Sequence, residues 1–168
     1  MRKRLIMVGL LVILATMGMM VVEKESTLRD GAQVFLELAP ADPRSLMQGD
    51  YMALEYAVNN GLIAAREETS TQTMQGVAIL TLDERRVGRF TRLDDGSALG
   101  ESDVRIAYKL RNFRTQVGSP SFFFQEGTAG LFENARFGEY RLTEDGTSVL
   151  IGLRDAELNV LGPEQRLH

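Results

Sequence analysis

Between Leu5 and Val22 the chain runs without a charge, directly behind Arg2, Lys3 and Arg4. An α-helix rises about 1.5 Å per residue, so such a run reaches roughly 27 Å, just enough to cross the hydrocarbon core of a bilayer. A helix that is apolar on every face needs lipid or a deep core around it. Three assignments compete. A cleaved signal peptide has a shorter apolar core and small residues at its cleavage site, whereas this run is long and ends in Met-Val-Val-Glu. A buried core helix of a small domain normally keeps one polar face. An uncleaved anchor is the preferred assignment. The basic cluster then stays on the cytoplasmic side. That places the remainder outside the inner (cytoplasmic) membrane, in a periplasm or its equivalent, on a single-pass anchor.

The chain accordingly divides into a basic cluster at 1–4, an anchor at 5–22, a linker at 23–32, a β-rich domain at 33–162 and a tail at 163–168. Within the domain, apolar residues recur with a period of two. Val34, Leu36 and Leu38 share one face of a strand over 33–39, and Met52, Leu54, Tyr56 and Val58 share one over 51–58. Val104, Ile106, Tyr108 and Leu110 alternate with Asp103, Arg105, Lys109 and Arg111 in the cleanest strand of the chain. Such alternation marks half-buried strands. Hairpins are expected around the charged turn after Thr81 and around Glu144-Asp145-Gly146, with a short aromatic strand at "SFFFQ" between them. Residues 62–75 read as one short helix or a loop. "GTAGLFENARFG" holds one or two helical turns with Leu131, Phe132 and Ala135 inward. The expected fold is mainly β: an antiparallel domain with one or two short helices, behind a single transmembrane helix.

Several chemistries are excluded by what the chain lacks. There is no Cys, and the single His is His168, a terminal residue. Thiol nucleophiles, thiolate metal sites and a Ser-His-Asp triad are therefore not expected. No phosphate-binding glycine loop, dinucleotide fingerprint or nucleophile elbow occurs, so no cofactor and no metal are expected. The formal net charge is −4. With three cations spent ahead of the apolar run, the domain itself is more acidic than that. Such a surface repels phosphate backbones, so nucleic acid is not an expected partner.

The stretch "PADPRSLMQGDYMALEY" joins turn residues to a strand. Gly49 and Asp50 suit a tight turn, because Gly takes dihedrals other residues avoid and Asp bonds nearby backbone N–H groups. Leu54 and Tyr56 then point to the core, with the Tyr hydroxyl seeking a polar partner. At Gly49, Asp50, Tyr51, Leu54 and Tyr56 the sequence resembles the GDYXXLXY family, named for this pattern. "PADPRSL" and "FFFQEGTAGLFENARFGEYRL" are also similar to that family's segments. The resemblance implies a bacterial, membrane-anchored outer domain. It implies no activity and carries over no catalytic residue, so the motif is read as structural.

Two enzymatic alternatives remain beside that reading. Ser45 lies ahead of the Gly-Asp turn and in this one respect resembles leader peptidases, whose nucleophile needs a desolvated lysine. Lys109 is the domain lysine available for it. Alternatively, Asp50, Glu126, Glu133 and Glu139 could supply a carboxylate pair for acid-base work on a sugar. A Ca²⁺ loop at "LDDGSALGESD" lacks the EF-hand spacing. Arg44, Arg136 and Arg141 would more simply pair with the carboxylates. The preferred function is a binding or accessory module, with no catalysis of its own, for a membrane or envelope partner such as an integral membrane protein. Its candidate binding residues are Arg44, Asp50, Glu126, Arg136 and Glu139. The alternative is an envelope hydrolase using a carboxylate pair or a Ser-Lys dyad.

Overall fold

The computed structural model of the chain describes residues 7, 9–11, 13–19, 31–39, 47–48, 51–68, 74–111 and 114–162. Among them the fold is mainly β and antiparallel, with ten strands in three small sheets. The first sheet has the order β1 (Ala32–Glu37), β9 (Phe137–Leu142), β10 (Ser148–Arg154). The second has the order β2 (Met47–Gln48), β3 (Tyr51–Ala53), β8 (Ser121–Phe123). The third has the order β5 (Gly88–Leu93), β4 (Gln75–Leu82), β6 (Asp103–Arg111), β7 (Arg114–Val117). One helix, α1 (Val58–Glu68), and a 3₁₀ turn at Ala129–Phe132 complete the domain.

Both expected hairpins form, β4–β5 and β9–β10. In the β9–β10 turn Asp145 accepts bonds from the Thr143 hydroxyl and from Thr147 N–H. Gly146 there takes φ +89. A Cβ on it would come 3.0 Å from the Ala107 backbone nitrogen, and Ala107 N–H itself donates to Gly146 O at 2.9 Å. Only glycine combines that dihedral with that approach.

Short backbone bonds tie β1 to the β4–β5 turn and to the start of α1, and extend the β1–β9 and β3–β8 pairings. Phe35 N–H donates to Arg86 O, Leu38 N–H to Arg136 O, Ala57 N–H to Glu37 O and Leu54 N–H to Pro120 O. One core lies among them. It holds Val34, Leu36, Met52, Leu54, Tyr56, Leu62, Leu80, Ile106, Tyr108, Val117, Phe132, Tyr140, Leu142 and Leu153. Leu54 is almost wholly buried, and truncating such a leucine costs about 2–5 kcal/mol. Leu54→Ala is therefore expected to lower stability by that amount in urea melts of the domain. A variant that melts like wild type would show that Leu54 contributes nothing to the core.

The structure revises several expected boundaries. The strand expected over 51–58 stops at Ala53. Tyr56 makes only an isolated bridge to Leu38, and α1 begins at Val58. Val58, Leu62 and Arg66 form its buried stripe, spaced by four as on one helix face. A period of two over 52–58 and a period near four from 58 overlap at Val58, so Val58 reads as the last residue of a strand although it is the first of the helix. Gly61 lets the helix lie close on β5, because a Cβ there would sit 2.7 Å from the Phe90 ring. Leu131, expected inward, is half exposed, while Phe132 and Ala135 are buried. In the tight 3₁₀ geometry consecutive residues face different ways, so Phe132 turns in and Leu131 out.

The described residues between Met7 and Met19 are helical and exposed throughout. They include Leu10, Leu11, Ile13, Leu14 and Met17. Among the described residues no helix is long and apolar enough to cross a membrane.

Candidate functional site

The motif strand and the aromatic strand are neighbours. Tyr51 pairs with Phe123, Met52 with Phe122 and Ala53 with Ser121. The Tyr51 and Phe123 rings lie 5.8 Å apart. Where the strand ends, Tyr56 enters the core and meets Tyr140 of β9 edge to face, again at 5.8 Å. Their hydroxyls are 2.5 Å apart. Ser119 closes the arrangement from both sides: its N–H donates to the Tyr140 hydroxyl at 2.8 Å, and its carbonyl accepts from Tyr56 at 3.2 Å. With Tyr140 donating to Tyr56, every polar group of this ring of bonds is satisfied. Buried hydroxyls require such partners.

Burial pushes the Tyr140 hydroxyl up to about 12, against the lowering effect of its bonds to Tyr56 and Ser119. Burial, and then the neighbouring Tyr140, also raises Tyr56 well above the ordinary tyrosine range. An unfolded tyrosine loses its proton near pH 10. Between pH 10 and about 12 the unfolded chain is thus deprotonated where the folded one is not. Stability is full below pH 10 and falls with each pH unit by about 1.4 kcal/mol per tyrosine so shifted. Alkaline titration of the melting temperature is expected to show a fall in this window that Tyr140→Phe makes shallower. An unchanged slope would show that Tyr140 does not carry it.

On the other side of β8 a groove of about 630 Å³ opens. Its walls come from Phe122, Phe124, Phe132, Ile151, Leu153 and Leu161, and Phe123 stands at its rim, 71% exposed. Phe132 packs at 5.0 Å from Phe122 and 5.4 Å from Phe124, which fixes the aromatic wall. Glu139 and Arg154 lie in the lining. Arg154 binds Glu139 through both Nε, at 2.7 Å, and Nη2. Gln33 donates to the other carboxylate oxygen at 2.7 Å. Glu139 is 4% exposed, so its carboxylate is withdrawn from water and bonded at both oxygens, in a groove whose other lining is mainly apolar.

A second depression lies among Gly31, Leu99, Asp103, Arg105 and Leu142–Glu144. Its charges Asp103 and Arg105 are committed already. Arg105 binds Asp94 at 2.9 Å, and Asp103 accepts from the Thr81 hydroxyl and Gly100 N–H. The same bonds account for the candidate Ca²⁺ loop. Asp94 bonds Gly96 N–H, and Asp95 bonds Ser97 and Arg92. These contacts hold the Asp95 carboxyl down at about 2 and lower those of Asp94 and Asp103, first through hydrogen bonds. Among the described residues no group of three His, Cys, Asp or Glu is placed to hold a metal.

Of the candidate residues, Arg44, Ser45, Gly49 and Asp50 lie outside the described residues. Tyr51, Leu54 and Tyr56 are placed as above. Glu126, Glu133 and Arg136 are exposed, and Glu139 is buried. The arginine that pairs with Glu139 is Arg154, not Arg136 or Arg141. Arg141 instead donates to Gly31 O at 3.1 Å. Lys109 is exposed, whereas the Ser-Lys reading needs a lysine held out of water.

These placements coincide with the extent of a known family. Residues 13–153 match the GDYXXLXY protein family. The chain belongs to the GDYXXLXY family. The match spans the motif strand, the aromatic strand and both strands of the β9–β10 hairpin. The GDYXXLXY motif thus names, in Tyr51, Leu54 and Tyr56, three residues that join β3 to β8 and to Tyr140. Comparison with curated proteins finds no match, and comparison with solved structures finds none either.

Proposed function

We propose that the protein is a single-pass, membrane-anchored module whose β-domain lies outside the inner membrane and binds a protein partner of the membrane or envelope, without catalysis of its own. The groove beside β8 is the observation that carries this reading. Its walls are aromatic and aliphatic, a large phenylalanine is exposed at its rim, and its one ion pair is internally satisfied. Apolar concavities of this kind mark binding surfaces. The anchor is supported by the uncharged run from Leu5 to Val22 behind three cations, and by the exposed apolar helix among the described residues from Met7 to Met19.

The hydrolase alternative has less support. Glu139 is locked between Arg154 and Gln33, and Lys109 is exposed.

The test uses intact membranes and a photo-crosslinking phenylalanine at position 123. A discrete protein adduct is expected there, and none from the same probe at Lys109. The full-length protein should also stay in alkaline-washed membranes. A shorter soluble form would reject the anchor, and adducts absent at position 123 would reject partner binding.

A further inference from the structure

Two outer strands line the groove. Among the described residues β8 pairs only with β3, and β10 only with β9. Phe122 and Phe124 come to the groove from the first side, and Ile151 to Arg154 from the second. Beyond Arg154 the chain turns and begins to run back along β10. Val160 bridges Arg154 in the antiparallel sense, and Leu161 N–H donates to Leu153 O at 3.0 Å. Gly162 then takes φ +78, which no extended strand uses. Among the described residues the returning segment thus covers only the end of β10. Alongside Ser148–Gly152 no further strand is paired among the described residues.

The open stretch has two special residues. Between Leu150 and Gly152 the register against β9 shifts, which leaves Ile151 as the extra residue of a β-bulge. Gly152 lines the groove, and a Cβ built on it meets nothing within 4 Å. Glycine in a strand with open space beside it lets another backbone come close.

We propose that the groove receives an extended segment of the protein partner, added as a strand beside β10. It carries apolar side chains at alternate positions and Lys or Arg at its flank. This rests on the partner-binding function proposed above and specifies its mode. An outer strand presents backbone donors and acceptors that another strand satisfies, while pockets for alternate side chains give selectivity. An acyl chain would fill the apolar walls but leave those backbone groups without partners. The preference for a basic flank follows from the acidic excess on the segments that carry the groove residues. Glu126, Glu133 and Glu157, all exposed, follow the groove residues Gln125, Phe132 and Arg154 closely in the chain, against two exposed cations among the described residues nearby, Arg136 and Arg85, the latter bonded to Ala156 O at 2.8 Å. Opposite charge at a rim steers and orients a partner.

The full-length protein is panned against a displayed library of random nine-residue peptides. Enriched peptides are resynthesised and measured by fluorescence anisotropy. Enrichment of alternating Val, Ile, Leu or Phe with a terminal Lys or Arg is expected. A proline replacing a polar residue of the alternation removes a donor to β10 and is expected to lower affinity at least tenfold at one parity of position. Gly152→Val has room in the free protein, so its melting temperature should hold while peptide affinity falls at least tenfold. Deleting 163–168 should leave affinity within twofold. The proposal is overturned by absence of the alternating basic pattern, by peptides that tolerate every proline, or by undiminished binding to Gly152→Val. It is also overturned if the deletion strengthens binding tenfold, since the chain's own end would then be the occupant. A discrete adduct from position 123 alongside failed panning rejects strand addition but leaves partner binding standing. Loss of both rejects the function as well.

Discussion

Gly118→Ala is expected to destabilise the domain by about 3–5 kcal/mol, far more than one added methyl group suggests. Gly118 has φ +65, a region that costs a residue with a Cβ about 1–2 kcal/mol. Its Cβ would also fall 2.5 Å from the Tyr140 hydroxyl oxygen and 2.7 Å from Cζ. Tyr140 would have to move, and its bonds to Ser119 and Tyr56 would break inside the core. Each buried polar group left unsatisfied costs about 1–3 kcal/mol. Gly127 provides the control. It has φ +79 but nothing within 4 Å of its Cβ position, so Gly127→Ala carries the dihedral strain alone, about 1–2 kcal/mol. Urea melts of both variants give the difference directly. Equal losses would show that the tyrosine ring of bonds adds no stability.

Glu139→Leu is expected to cost about 3–5 kcal/mol, because removing one member of a buried pair leaves the other charge uncompensated. The Arg154 side chain is 19% exposed and cannot leave the groove fully for water. Gln33 would also lose its carboxylate acceptor. The double variant Glu139→Leu/Arg154→Leu is expected to recover most of that loss, since apolar replacements of a whole buried pair are often neutral or stabilising. The double variant also separates fold from function. It should melt near wild type, and its groove would keep the aromatic walls but not the polar floor. If the single variant melts like wild type, the pair is not desolvated in solution. If the double variant melts as low as the single one, the pair is intrinsically stabilising.

The local elements were legible in the sequence because each is written in consecutive residues. The alternation of Val104, Ile106, Tyr108 and Leu110 predicted β6, and Glu144-Asp145-Gly146 predicted the last hairpin, where Gly146 supplies the positive dihedral the turn requires. The motif's Leu54 and Tyr56 were assigned to the core from their pattern alone, and both are buried. What the sequence could not supply was which elements meet. Tyr56 and Tyr140 are 84 positions apart, and Gly118 is intelligible only once their hydroxyls are seen beside Ser119. The partner of Glu139 escaped for a related reason. A regular hairpin about Gly146 would extend the pairing of Leu150 with Tyr140 to Ile151 opposite Glu139. The bulge instead places Gly152 there and brings Arg154 to the carboxylate. One inserted residue changes which side chains face each other along the rest of a strand. The groove belongs to the same class of fact. Its walls come from β8, the 3₁₀ turn and β10, three segments whose sequences say nothing of their meeting. Periodicity reports which face of one element is buried. A concave site depends on how faces from distant elements stop short of one another, and that is settled only when the core packs.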